Sequence, residues 1–127
     1  MSRMKTIMQA CFATLLLPSA LTAGTTDLVH QFATCSGRLS AQMEFQWLLG
    51  DENADRTQQE REAMIALLEA VTPPEARRSA LATRIQAKYA QNRLLTRATF
   101  NADEDDAAWA AARAEVEIGS CRALILS

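Results

Sequence analysis

Only four glycines and three prolines occur in 127 residues, too few for the many turns of a β-sandwich. There is one histidine, His30, so a zinc site built on several histidines is out of reach, and a Ser-His-Asp triad would have to use that residue. No Cys-x-x-Cys-His motif for covalent haem, no Glu-x-x-His pair for a di-iron bundle and no glycine-rich phosphate loop is present. Basic residues are not in excess: 13 Lys+Arg stand against 15 Asp+Glu, and a net charge of −2 argues against a general nucleic-acid or anionic-membrane binder. The acidic runs at Asp51, Glu52 and Asp55 and at Asp103–Asp106 have neither the alternating ligand spacing nor the turn glycine of a calcium loop, and read as helix-start chemistry. The chain is therefore expected to be non-enzymatic and to carry no metal or cofactor.

Apolar residues make up 49% of the chain, enough to bury a core. The first of them are set apart. Arg3 and Lys5 are followed by an uncharged stretch from Thr6 to Ala23 that includes Leu15, Leu16 and Leu17 and ends in small residues around Ser19, Ala20, Thr22 and Ala23. A basic start, an apolar middle and a small-residue end describe a secretory signal peptide, expected over 1–23 with cleavage after Ala23 or Gly24. Residues 24–127 are then a single domain, periplasmic or secreted, and without Arg3 and Lys5 its net charge is −4. Cys11 leaves with the signal, so Cys35 and Cys121 remain as a pair, which in an exported protein reads as a disulfide.

The remaining sequence is read as all-α, with helices at about 27–49, 58–71, 73–98 and 103–126. Leu28, Phe32, Cys35, Leu39 and Met43 form one stripe of the first helix. Met64, Leu67, Leu68 and Val71 form one on the second. Thr57-Gln58-Gln59-Glu60 has the residue types of a capping box, and Thr72-Pro73-Pro74-Glu75 repeats them with proline at the first helical position. In the third helix Leu81, Ile85 and Leu95 are the expected core strip, with Ala80, Ala87, Leu94 and Ala98 on an adjoining one. Asn101 or Asp103 caps the fourth, whose Ala107, Ala111, Ala114, Ile118, Cys121 and Ile125 keep a heptad rhythm while Trp109, Ala112, Val116 and Ala123 lie on the opposite side.

Short connections make an up-down-up-down four-helix bundle, in which the start of the first helix lies beside the end of the last. Cys35 and Cys121 sit at matching depths from those ends and on the apolar stripes, so a disulfide is expected to join helices 1 and 4.

A helix apolar on two sides is either central in its bundle or faces a partner. Trp109 and Val116 are thus candidates for a partner-facing strip. The basic third helix adds Arg84, which projects between the apolar strips, and Lys88 and Asn92, which interrupt one of them. Trp47, Leu48 and Leu49 are expected to pack under the loop that follows. The function expected is a binding module for another envelope or secreted protein, or self-association through helix 4, with no nucleic acid and no membrane contact after signal cleavage. Two alternatives stand beside it: a carrier holding a small molecule or haem between helices, and a membrane-anchored accessory subunit if residues 1–23 stay attached.

Overall fold

The computed structural model describes residues 20–127, with side chains from Gly24 onward, so the expected signal segment lies outside the described residues except for the backbone of its last four positions. Four helices follow one another: α1 (Ala20–Leu49), α2 (Ala54–Val71), α3 (Arg77–Thr99) and α4 (Glu104–Leu126), with a 3-10 turn at Pro74–Ala76 leading into α3. They form an up-down-up-down bundle. Val29 shares a core with Ala80 at the start of α3, and Phe45 shares one with Leu95 near its end, so α1 and α3 run parallel. Ser40 meets Arg61 of α2, and Cys35 is bonded to Cys121 of α4, so these two helices run the other way.

Local chemistry sets the helix ends. Gly50, at φ 66°, takes the left-handed conformation that lets a chain turn out of a helix. The Asp51 amide then donates to Gln46 O (2.9 Å) and the Gly50 amide to Trp47 O (3.2 Å), the paired bonds of a Schellman motif. Asp51 Oδ1 accepts from both the amide and the side chain of Asn53, at 2.8 Å each, and the next residue already starts α2. Helix 2 therefore begins before the expected capping box. Thr57 is fully buried inside the helix with its hydroxyl donating to Asn53 O, and Glu60 is paired with Arg122 of α4 rather than reaching back. Thr72 likewise closes α2 instead of opening α3, donating its hydroxyl to Leu68 O. At α4 the expectation holds: Asp103 accepts from the Asp106 amide at 3.1 Å.

The central helix is α1, not α4. Between Phe32 and Gln46 it is buried around most of its circumference, and it contacts all three other helices, whereas α2 and α3 barely meet. The reason is a close crossing of backbones. A Cβ placed on Gly37 would lie 2.2 Å from Arg84 O and 2.9 Å from Lys88 N, so only glycine lets α1 and α3 approach this near. Ala33, Ala41, Ala80 and Ala87 are the small buried residues around this crossing. In consequence the alanine strip of α3 is its core face, and Leu81 and Ile85, expected inside, remain 55% and 48% exposed. Two serines in the crowded middle of α1 need no outside partner. Ser36 donates to Phe32 O and Ser40 to Ser36 O, each at 2.7 Å, and Ser40 Oγ also accepts from Arg61 Nε.

The main core gathers Val29, Phe32, Cys35, Leu39, Met64, Leu68, Ile118 and Cys121 at one end of the bundle. The Cys35–Cys121 disulfide, with Cα atoms 5.3 Å apart, lies within it and links α1 to α4. A second, smaller cluster of Phe45, Leu95 and Ala114 holds the other end, with Phe100 edge-on to Phe45 at 6.3 Å. Next to Ala114 lies a polar layer. Gln91, fully buried, accepts from Arg38 Nη1 (2.9 Å) and donates to Ala114 O and Gln42 Oε1 (3.3 Å each).

Candidate functional site

Because α1 separates α2 from α3, these two helices leave a groove of about 460 Å³ where they connect. Leu68 and Thr72 form one wall, and Arg77, Leu81 and Arg84 the other. It continues along α1 over Gly37, Ser40 and Glu44, past Ile85 and Lys88. Leu81 and Ile85 stand one helical turn apart on the same lip, and Tyr89, 68% exposed, extends the row by another turn. The groove is therefore an apolar ledge with Arg77 and Arg84 on its α3 side and Glu69 on its α2 side. Lys88 is held by Glu44 at 2.7 Å across the α1–α3 crossing.

The residues singled out from the sequence do not form one surface. Arg84 is half-buried in the groove and Lys88 is at its far end. Asn92 is exposed near Phe100 and Asn101, at the opposite end of the bundle. Val116 stands alone on the outside of α4, 58% exposed. Trp109, 55% exposed, faces the guanidinium of Arg97, 5.0 Å from the ring centre. Trp47, Leu48 and Leu49, expected to pack under the following loop, are exposed instead, because Gly50 turns the chain back into α2 without covering them.

Trp109 belongs to a second cleft, of about 350 Å³, between α3 and α4. Four arginines line it: Arg38 from α1, Arg93 and Arg97 from α3, and Arg113 from α4. Two carboxylates answer them. Glu117 pairs with Arg113 (2.5 Å) and lies 3.4 Å from Arg38 Nε, and Asp106 takes both the Nε and Nη2 donors of Arg97. Among the described residues Arg93 has no ion pair. Arg38 Nε is buried without a hydrogen-bond acceptor. Burial pulls the Arg38 guanidinium below its ordinary pKa, Glu117 opposes that shift, and the charge of Arg113 adds to it.

Two features escaped the sequence reading. The exposed row of Leu81, Ile85 and Tyr89 is spaced by four, which looks the same for a buried strip as for a bare one. The arginine cleft did leave a signal: Arg93 and Arg97, and Trp109 and Arg113, are both pairs spaced by four on consecutive helices. Among the described residues no group of three or more His, Cys, Asp or Glu is placed to hold a metal ion. No helix among them is long and apolar enough to cross a membrane. No protein-family model, curated protein or solved structure matches this chain.

Proposed function

We propose that the protein is an exported, non-enzymatic binding module that holds a segment of another envelope or secreted protein in the groove between α2 and α3. The observation that carries this reading is the exposure of Leu81 and Ile85 beside a groove lined by Arg77 and Arg84 on α3 and by Glu69 on α2. Large apolar side chains left bare at one place favour a partner that covers them. Arg77 and Arg84 flank the row on α3 and Glu69 lies on the α2 wall, so the segment that fits is amphipathic, with apolar residues at helical spacing and carboxylates toward α3. The export part of the reading draws on the N-terminal pattern of the sequence and on the disulfide, which persists in an oxidising compartment. The non-enzymatic part rests on the absence of a catalytic constellation in the sequence.

A photo-reactive amino acid placed at position 85 tests the docking surface in the protein's own cell envelope. One discrete cross-linked product, lost when Leu81 is changed to Lys and missing when the probe is at exposed position 115, is the expected result. Equal labelling from both positions would sink the reading. Light scattering on the purified protein identifies the case in which the partner is a second copy. N-terminal sequencing of the mature chain checks export: a start at Gly24 or Thr25 supports it, and a start at Met1 favours the anchored subunit instead.

A further inference from the structure

We propose that the cleft between α3 and α4 is a binding site for a small organic dianion with a flat apolar body, of which an aryl phosphate is the simplest form. The charge count points to a dianion. Four guanidiniums line the cleft against two carboxylates paired with them, an excess of two positive charges. Arg93 carries one of them, and the other is shared by Arg38 and Arg113, which divide Glu117 between them. Arg38 is fixed by Gln91 from beneath, and Arg113 by Glu117 from the side. Side chains spaced by four on α3 and α4 bring Arg93 and Arg113 to the same opening.

Burial of the Arg38 guanidinium, and to a lesser degree the nearby charge of Arg113, lowers its pKa, so the cleft holds positive charge at a cost. A doubly charged ligand relieves it. The planar fork of arginine matches the paired oxygens of phosphate and carboxylate, which a point charge such as lysine does not. Arg93 is free to supply such a fork without breaking an ion pair. The apolar half of the site is Leu94 and Trp109. Arg97 is fixed over the indole by Asp106, which orders the tryptophan as a platform. An inorganic ion would use the arginines alone and leave that platform bare.

This site is separate from the proposed protein-docking groove, which lies on the other flank of α3, so either inference can fail without the other. The test uses the purified, disulfide-bonded protein carrying Trp47→Phe, so that fluorescence reports Trp109 alone. Phenyl phosphate is expected to quench that emission saturably. Phenol is expected to leave it unchanged, and inorganic phosphate to compete at least about tenfold more weakly than phenyl phosphate. Arg93→Glu changes an exposed residue with no ion pair, and is expected to weaken phenyl phosphate by tenfold or more with an unchanged melting temperature. Failure of phenyl phosphate to bind, or equal affinity in Arg93→Glu, overturns the proposal. Equal affinity for inorganic phosphate overturns the role of Trp109. Vesicles containing phosphatidic acid separate the two sources of a phosphate monoester: binding to vesicles without binding to soluble phenyl phosphate would assign the arginines to a lipid surface and overturn the small-ligand site.

Discussion

The two ends of the bundle are built differently. At one end the start of α1, the end of α2, the start of α3 and the end of α4 enclose a continuous apolar core crossed by the Cys35–Cys121 bond. At the other, Phe45, Leu95 and Ala114 form a core of three buried residues beside the Gln91–Arg38 layer, and Gln91 also donates to Ala114 O of α4. The groove between α2 and α3 lies against the first end. At the second end Gln91 is answered by Arg38, Gln42 and Ala114 while Arg38 Nε stays without an acceptor, and the arginine cleft lies there. The stapled core and the arginine cleft thus lie toward opposite ends of the bundle.

The largest way to break this comparison is to remove the staple. Changing Cys35 and Cys121 to Ala opens a covalent loop with a sequence separation of 86, and a loss on the order of 4 kcal/mol is expected in urea unfolding. A loss below 1 kcal/mol would show that the apolar end does not depend on the bond. Next comes the contrast between the cores. Leu39→Ala empties a site with no solvent exposure and is expected to cost about 3 kcal/mol, whereas Leu95→Ala in the smaller cluster is expected to cost about 2 kcal/mol. Equal or reversed costs would remove the distinction between the ends.

How far the sequence foretold this arrangement differs in the same way. The four helices, their order and the cysteine bridge were legible, because apolar period and helix depth are properties of the chain itself. Cys35 and Cys121 fall on their stripes at matching depths, and the bond follows. The central place of α1 was not legible. It depends on Gly37, Ala33 and Ala41, small residues that add little to any hydrophobic pattern but set how near two backbones come. That single crossing reassigned the faces of α3 and exposed Leu81 and Ile85. The capping box at Thr57 was misleading for a local reason: the Asp51–Asn53 turn starts α2 earlier, and the same residue types then serve burial and an ion pair. The arginine cleft was legible only in part: its pairs on α3 and α4 are spaced by four, but Arg38 joins them from a third helix.

Two smaller perturbations sharpen the contrast at the polar end. Gln91→Leu deprives Arg38 Nη1 of its acceptor in a buried layer, and a loss of about 1–2 kcal/mol is expected, with the stapled end unchanged in hydrogen exchange. The smallest effect concerns pH. Hydrogen bonds from Arg97, then its charge and a bond from Asn101, outweigh desolvation and hold the Asp106 carboxyl below its ordinary pKa. A carboxyl depressed in the folded state contributes stability above its unfolded value, near pH 4, and that contribution is lost as pH falls through the lower folded value. Asp106→Asn is therefore expected to lower the melting temperature at neutral pH, with the gap from the parent protein closing at acidic pH. A gap that persists unchanged to pH 2 would count against the pairing with Arg97.

The bond between the first and last helices also changes what a protease can do. Half of α1, all of α2 and α3 and most of α4 lie between Cys35 and Cys121, so the covalent structure of the bundle is closer to a ring than to a line. One cut in the exposed turn around Glu52 opens the ring but releases nothing, because both fragments remain tied through the core. A nicked molecule keeps its helices at high effective concentration and can close up again. For a domain expected to work outside the cytoplasm, where peptidases are met without the means to make a replacement on the spot, that is tolerance of damage rather than resistance to it.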